Sequence, residues 1–378
     1  MAVEIREIKP TRRELLKFVH YPIDVLYRDS KCYVPDLVND EVDTLRPDKN
    51  PAFEFCEAIY FMAYRAGKPV GRIAGIINSV VNEREGKPEG RFGFIDFIDD
   101  EEVVDALIGA VTEWARAKGM KSLTGPLGFT DMDKEGMLVE GFDRIVTSAT
   151  IYNYDYYPKH MERLGFVKDA DWLEFLITIP EEVPEKIARV SKIAAERNGL
   201  EAIKYTSRKR LVKDYGQAIF TLINEAYDQL FGYSPLSPRQ IDHYIKMYLP
   251  LLPLNDLGMV VKKDETRELV GVGITIPNMS HALIKCRGRL LPWGWKHLLH
   301  SFKHNDTVDL MLIAVKPEYQ NKGVNSIVID DLIRSFHAYG YKYAESNIEL
   351  ETNDKVLKQW EYFEYDQHKR RRAYTKEI

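Results

Sequence analysis

A short polar loop in the last quarter of the chain has the residue types and spacing of an anion-binding site. An apolar stretch ends at Pro317, and the loop from Gln320 to Asn325 leads into residues with helical spacing. The first N–H groups of a helix have no partner inside it, and the helix dipole adds positive potential there. Gly323 lets another molecule approach the backbone closely. The N–H groups of Gln320 to Ser326 are therefore predicted to bind an anion such as a pyrophosphate.

The segments around this loop have the patterns of strands and helices that would hold it in place. Thr307 to Val315 is strongly apolar and is predicted to be a strand, and Ser326 to Tyr339 has the spacing of an amphipathic helix. A further strand is predicted from Tyr343 to Leu350, a short helix from Asp354 to Tyr362, and a last strand from Arg372 to Lys376. The loop thus joins a strand directly to a helix.

The first half of the chain repeats the order of elements found in the second. Each half reads as helices, antiparallel strands, a helix, a strand, a helix and a last strand. The second half opens with helices predicted from Leu211 to Phe231 and from Pro238 to Tyr248, and the first half ends in a strand from Leu173 to Ile179. We therefore predict an α/β fold with a mixed α+β sheet, in two copies at residues 1–180 and 185–378.

Composition limits the classes of partner. The net charge is −5, from 53 basic and 58 acidic residues, so no field attracts a phosphate backbone and no nucleic-acid partner is predicted. The run from His368 to Arg372 is the local exception, and we interpret it as a solvated face or the polar edge of a last strand.

Three widely spaced cysteines, Cys32, Cys56 and Cys286, match no metal-ligand or disulfide pattern. The N-terminus has no apolar core of a signal peptide, and no uninterrupted apolar stretch approaches the ~18 residues that a membrane span needs. These features predict a cytoplasmic protein without a transmembrane segment.

The loop also resembles a known family. Gln-x-x-Gly-x-Asn after Val-x-Pro-Glu-Tyr is similar to the coenzyme A loop of the GNAT acyltransferase superfamily, and Ile348 to Asn353 resembles the next strand of that fold. Asn325 stands where Gly or Ala is usual, and Trp360 where the family often has Tyr. The resemblance implies two tandem acyl-CoA N-acyltransferase-like domains, with acetyl-CoA or another acyl-CoA as co-substrate and no metal. The residues it implies for cofactor binding are Leu312, Ile313, Ala314, Val315, Gln320, Asn321, Lys322, Gly323, Val324, Asn325, Ser326 and Asn353.

The first half resembles the same fold more faintly. The stretch from Tyr156 to Phe166 is similar to the end of a GNAT domain, but the position of the loop holds four carboxylates, Asp99 to Glu102. Because these charges would repel a pyrophosphate, we interpret the first half as a degenerate copy that has lost cofactor binding.

The resemblance implies that an amine attacks a thioester while a carboxylate accepts a proton and a phenol protonates the leaving thiolate. Glu349 is the candidate base by its strand position, and Tyr362 is the nearest phenol and the candidate acid. Tyr227 and Tyr233 lie where this fold places helices that contact the acceptor. Glu351 faces the same side of the strand as Glu349 and leaves that assignment open, and for the three tyrosines simple packing is the alternative interpretation.

Two other segments stand out. Leu290 to His304 carries two tryptophans and basic residues, and reads either as an interfacial helix or as a cap on the acyl cleft. Its three histidines have no acidic ligand nearby, so no metal site is predicted. Gly125 to Asp133 is rich in glycine but lacks the Lys-Ser/Thr of a phosphate loop, and we interpret it as a cluster of turns.

The sequence as a whole predicts an N-acyltransferase that moves an acyl group, expected to be acetyl, from coenzyme A to an amine-bearing small molecule or lipid. The alternatives left open are a long-chain N-acyltransferase acting on a lipid amine, and a non-catalytic coenzyme A-binding regulator or scaffold. Peripheral membrane contact and the oligomeric state also stay open.

Overall fold

A computed structural model of the chain describes residues 2–228, 232–249 and 252–378, and gives no side-chain detail for residues 354 and 355. Strands and helices alternate along the chain. The strands are β1 (Glu4–Glu7), β2 (Cys56–Arg65), β3 (Lys68–Asn78), β4 (Glu89–Phe97), β5 (Ser122–Gly125), β6 (Met137–Glu140), β7 (Val167–Thr178), β8 (Leu200–Ile203), β9 (Leu257–Lys262), β10 (Leu269–Pro277), β11 (Thr307–Val315), β12 (Tyr343–Ser346), β13 (Glu349–Leu350) and β14 (Glu364–Glu377). The helices are α1 (Arg12–Tyr21), α2 (Val38–Thr44), α3 (Ser79–Glu85), α4 (Glu101–Ala117), α5 (Tyr156–Arg163), α6 (Glu185–Asn198), α7 (Arg208–Tyr227), α8 (Pro238–Met247), α9 (Ser280–Cys286), α10 (Gly294–Ser301), α11 (Val324–Tyr339) and α12 (Asp354–Leu357).

Within the described residues, the strands form one continuous mixed sheet. Its order is β1-β2-β3-β4-β5-β14-β7-β12-β11-β10-β9-β8, with β6 beside β14 and β13 beside β7. The two halves repeat each other, because β2, β3 and β4 are antiparallel and β5 is parallel to β4, as β9, β10 and β11 are antiparallel and β12 is parallel to β11. The predicted mixed α/β fold with a repeated architecture is confirmed.

The two halves exchange their last strands. Strand β7 of the first half pairs with β12 of the second, and β14 of the second half lies between β5 and β7. The predicted boundary near residues 180–185 falls between β7 and α6, but each half of the sheet includes a strand from the other side of that boundary.

Helices cover the second half of the sheet on both faces. Val260 packs in the core cluster with Val328 of α11, whereas the next residue, Val261, packs in the cluster with Leu211 of α7. This alternation is that of a strand buried on both sides. Helix α11 lies very close to the sheet at Gly273, where a Cβ atom would be 2.6 Å from a Val328 methyl carbon.

The helices and strands around the loop agree with the sequence prediction in order and differ in length. Strand β11 has the predicted bounds, and α11 begins two residues early. The predicted strand from Tyr343 to Leu350 is interrupted between β12 and β13, and the predicted helix from Asp354 to Tyr362 is divided into α12 and a 3-10 turn at Trp360–Tyr362.

The predicted helix from Leu211 to Phe231 is longer at its start, because α7 begins at Arg208, where Ser207 accepts a hydrogen bond from the N–H of Arg210. The helix is described as far as Tyr227, and the predicted last residues 229–231 lie outside the described residues.

The interpretation of the basic run as a solvated face or polar edge is wrong. Lys369 and Arg371 lie in β14, in the middle of the sheet, and both are 0% exposed. Glu174 of β7 forms ion pairs with both, with Lys369 Nζ 3.1 Å from Glu174 Oε2 and Arg371 Nε 2.5 Å from Glu174 Oε1. On the opposite face, Arg372 Nε lies 2.8 Å from the buried Asp171 Oδ1. The charges are compatible with burial because their partners come from the strand beside them.

We predict that Arg371→Met lowers the free energy of unfolding by about 3–5 kcal/mol, because removal of one partner leaves a buried charge uncompensated. Arg239→Met is the matched control, since Arg239 and its partner Glu54 have side chains 64% and 39% exposed. The control should cost less than ~1 kcal/mol. Urea denaturation measures both, and an Arg371→Met protein as stable as the control would contradict the role of this pair in the exchange.

Candidate functional site

Strands β11 and β12 separate in the middle of the second half. Their parallel pairing ends at Leu310 and Ser346, after which β13 follows β7, with Glu349 opposite Leu173. Asn347 lies at the point of separation, where its N–H donates to the Leu310 carbonyl at 3.0 Å and its Nδ2 to the Met311 carbonyl at 3.2 Å. The last residues of β11 therefore have an open edge toward β13.

A cavity of about 300 Å³ occupies this opening. Its lining comes from α11 on one face of the sheet and from Tyr227 of α7 on the other, so the cavity passes between the separated strands. Its apolar walls include Ile177, Ile179, Leu310, Leu312, Ile313, Ile329, Leu332, Ile333, Phe336, Val356, Trp360 and Phe363. Such a volume with few polar groups is typical of a site for a largely apolar ligand.

Glu349 is a carboxylate in this apolar wall. Trp360 Nε1 donates to both of its oxygens, at 2.9 and 3.1 Å. Burial raises the pKa of Glu349 to about 7, although the bond from Trp360 acts in the opposite direction. A carboxylate that exchanges its proton near neutral pH is suited to general base catalysis. Its neighbour Glu351 is engaged elsewhere, 3.0 Å from Arg370 Nη1.

The first half of the chain contributes to the same cavity. Trp172 of β7 lines it, and so do Asp131, Met132 and Glu135 from the connection between β5 and β6. Burial raises the pKa of Asp131 to about 6 and that of Glu135, which Asp131 also repels, to about 8. The Ser234 N–H donates to Asp131 Oδ1 at 3.1 Å, whereas Glu135 has no hydrogen bond or ion pair with the described residues.

Sequence reasoning missed these carboxylates. They lie in and just after the glycine-rich segment that we interpreted as a cluster of turns, about 200 positions before Glu349 in the chain. Only the folded sheet brings them to the cavity, and the one available signal was the density of acidic residues from Asp131 to Glu135.

The predicted anion-binding loop has the required backbone form. Gly323 precedes the first residue of α11 with a φ of +82°, a value that favours glycine, and a Cβ atom there would lie 2.9 Å from the Cβ of Ala194 in α6. Among the described residues, nothing accepts from the N–H groups of Gly323, Val324 and Asn325, while that of Ser326 donates to the Gly323 carbonyl. Three donors at a helix start are therefore available to an anion.

Two side chains of the loop, Gln320 and Lys322, also bear on anion binding. Gln320 Nε2 donates to the Val315 carbonyl at 3.3 Å and so connects the loop to the end of β11. Lys322 lies with its Nζ 5.3 Å from the centre of the Tyr319 ring and has no ion pair with the described residues. Its charge is available to a phosphate group.

Only part of the predicted cofactor strand faces the cavity. Leu312, Ile313 and Asn353 line it, whereas Ala314 and Val315 pack in the hydrophobic cores.

The two predicted acceptor residues both line the cavity. The Tyr227 hydroxyl donates to the Ile313 carbonyl at 3.1 Å, and that of Tyr233 donates to Asn224 Oδ1 at 2.6 Å. Their rings meet edge to face, with centres 6.0 Å apart. Burial raises the pKa of each phenol, so both keep their protons at neutral pH.

Tyr362, the candidate acid, is not brought to Glu349. It is 40% exposed, lies outside the cavity lining and accepts a hydrogen bond from Lys186 Nζ at 2.6 Å. The 3-10 turn places Trp360 at the cavity instead, so the geometry does not support Tyr362 as the acid.

The corresponding helix of the first half, α4, has its N-terminus occupied by the chain itself. Asp100 accepts from the Val103 N–H at 3.2 Å and pairs with Arg65 at 2.6 Å. The Arg65 guanidinium also lies 2.7 Å from Glu102. A helix N-terminus that is already occupied by carboxylates agrees with the interpretation of the first half as a copy that has lost cofactor binding.

Two other kinds of structural feature are not found among the described residues. No three His, Cys, Asp or Glu side chains are grouped as metal ligands would be. In the same residues, none of the helices combines the length and apolarity needed to cross a bilayer.

Comparisons with known proteins complete the picture. No family model matches the chain. Protein YghO of Escherichia coli is 27% identical over 378 residues, covering 97% of this chain and 94% of its own length. A protein named bacterial ceramide synthase, from Caulobacter vibrioides, is 28% identical over 316 residues, covering 82% and 80%. Among solved structures, a tandem GNAT protein from the clavulanic acid biosynthesis pathway, 11% identical, superimposes with a TM-score of 0.58 over 99% of this chain and 98% of its own.

The similarity in structure extends over both halves, as does the repeated strand order. The resemblance is therefore confirmed at the level of the fold, because the chain has the same fold as this tandem GNAT protein over 99% of its residues.

Proposed function

We propose that this chain is a GNAT-type N-acyltransferase that moves a long acyl chain from coenzyme A to the amine of a lipid. The observation that carries the proposal is the apolar cavity between β11 and β13, with the half-buried carboxylate Glu349 in its wall and a pKa of about 7 for that group. An acetyl group would leave most of this cavity empty. The cavity thus favours the long-chain alternative over the acetyl transfer that we expected from the sequence.

The loop before α11 is the proposed site of the coenzyme A pyrophosphate. Its free N–H groups at Gly323, Val324 and Asn325 and the charge of Lys322 favour a phosphate anion. The pantetheine arm would then extend from this loop toward the cavity along the open edge of β11, at Leu312 and Ile313.

The acceptor is proposed to be an amine because of the carboxylates on the first-half side of the cavity. Asp131 and Glu135 lie there, and their burial disfavours the negative charge of their carboxylates. A bound ammonium group would neutralise that charge. The relative named bacterial ceramide synthase supports the lipid class, since a ceramide is an N-acylated lipid amine. In this proposal the first half binds no coenzyme A and forms the acceptor wall.

The chemistry requires one proton to leave the amine and one to reach the thiolate. Glu349 accepts the proton from the attacking nitrogen as the C–N bond forms and the C–S bond breaks. Its bond from Trp360 keeps the carboxylate oriented and favours its charged form. Tyr227 is the phenol that we assign to protonate the leaving thiolate, because it lines the cavity and donates to the open strand at Ile313.

The proposal predicts a preference for long acyl chains. Palmitoyl-CoA carries fourteen more carbons than acetyl-CoA, and burial of each CH₂ contributes about 0.8 kcal/mol. Even a quarter of the ~11 kcal/mol total corresponds to an affinity about 100-fold higher. Calorimetry below the micelle concentration should show at least this ratio. Equal affinities would favour acetyl transfer, and no binding of either by the folded protein would remove the acyltransferase proposal.

Asn325→Glu tests the pyrophosphate site within the same measurement. Asn325 is exposed in the first turn of α11, where a carboxylate stabilises the helix but repels a phosphate. We expect the affinity for palmitoyl-CoA to fall at least tenfold with no loss of thermal stability. Asn325→Gln is the neutral control and should bind as the parent does. Substitutions of Gly323 are unsuitable, because any Cβ there meets α6.

The proposal also predicts how activity depends on the base. With a pKa of about 7 for Glu349, kcat should rise with pH and be half-maximal near pH 7. Glu349→Gln should lower kcat by about 10²- to 10⁴-fold. Trp360→Phe keeps a ring but removes the N–H that favours the carboxylate, so the midpoint should move to higher pH. An unmoved midpoint, or a Glu349→Gln protein within tenfold of the parent, would rule out this base.

A further inference from the structure

The segment between β10 and β11 presents an apolar surface that the cavity does not use. The segment is a helical hairpin that consists of α9, a turn from Leu290 to Trp293, and α10. We call residues 290–302 the hairpin tip. None of the residues from 290 to 304 is among the described lining of the cavity, so the interpretation of this segment as a cleft cap is not supported. The exposed fractions at the tip are Leu290 37%, Leu291 80%, Trp293 63%, Trp295 42%, Leu299 53% and Phe302 39%.

The base of the hairpin is firmly attached to the first half. Met279 and Leu283 pack with Tyr27 and Val146 in one core cluster. Arg289 Nη2 donates to Asp24 Oδ2 at 2.6 Å. The tip is therefore a fixed projection, and the described chain leaves its apolar side chains uncovered.

The charge of the segment points to the kind of surface it meets. Residues 287–304 contain four Lys or Arg and no Asp or Glu. Arg287 and Arg289 are paired with Asp24, which leaves Lys296 and Lys303 without a carboxylate partner in the described residues. Lys296 Nζ lies 4.1 Å from the centre of the Trp293 ring, so a cation and an indole share one position at the tip.

We infer that the hairpin tip binds the surface of an anionic phospholipid bilayer. Tryptophan is enriched at the boundary between lipid headgroups and acyl chains, because its ring is apolar and its N–H is polar. Exposed lysines next to an apolar face are attracted by anionic lipids. A water-soluble protein rarely exposes six large apolar side chains so close together without a partner.

Docking at this surface is independent of the proposed catalysis, since it requires neither the loop nor Glu349. The two are nevertheless compatible. Val38 donates its N–H to the Gly288 carbonyl at the base of the hairpin, and Asp36, two residues earlier, lies 2.9 Å from Lys134, the neighbour of Glu135 in the cavity. The docking surface is thus joined to the acceptor wall by a short chain of contacts.

The test is sedimentation of the full chain with vesicles of phosphatidylcholine containing one quarter phosphatidylglycerol, and with pure phosphatidylcholine. We expect binding to the anionic vesicles that weakens with salt. Trp293→Glu combined with Trp295→Glu should lower the partition coefficient at least tenfold. The matched control is Val167→Glu with Ile193→Glu, which places the same charges at side chains 61% and 53% exposed elsewhere and should bind like the parent.

Three results would overturn the inference. The parent chain could stay in the supernatant with anionic vesicles, or the tryptophan double variant could sediment like the control. Light scattering could also show that the parent is a dimer which the tryptophan double variant, and not the control, converts to monomers. In that case the hairpin tip is an interface between copies of this chain. A calorimetric measurement of palmitoyl-CoA binding on the same variants separates failure of docking from failure of the proposed function.

Discussion

The parting of β11 from β12 is the constraint on which the rest of the site depends. Parallel strands that paired along their full length would leave no opening, yet here the ladder stops at Leu310 and Ser346. Because β13 pairs with β7 instead, Glu349 is held at a distance from the open edge of β11 and faces a cavity between the two. The cavity, the position of Glu349 in its wall and the free strand edge all follow from this single divergence.

The strand exchange maintains that divergence. Strand β7 belongs to the first half, so the second half cannot form its own cavity wall without it. Buried charges hold the exchanged strands together, since Lys369 and Arg371 of β14 share Glu174 of β7. Asp309 of β11 lies in the same buried region, where burial raises its pKa to about 8 and reduces the number of negative charges that need partners at neutral pH. The first half is therefore part of the structure of the site in the second half.

What the sequence predicted well was local. The strand Thr307–Val315, the glycine before α11 and the repeated order of elements depend on hydrophobic spacing and on backbone preferences that act within a few residues. The strand exchange could not be predicted, because a basic run such as His368 to Arg372 is interpreted as exposed unless its ion-pair partners on β7 are known. Asp131 and Glu135 were missed for the same reason. Tyr362 was predicted to lie near Glu349, but a 3-10 turn directs Trp360 toward the cavity instead. Such a turn cannot be distinguished from a helix in the sequence alone.

The most direct measurement is a crystal structure of the chain with a thioether analogue of palmitoyl-CoA, which cannot transfer its chain. The expected complex has the pyrophosphate on the N–H groups of Gly323 to Asn325 and the alkyl chain between β11 and β13, with the sulfur near Glu349. Pyrophosphate density at α4 of the first half, or an alkyl chain that leaves the cavity between the parted strands empty, would contradict the assignment of this opening as the acyl-transfer site.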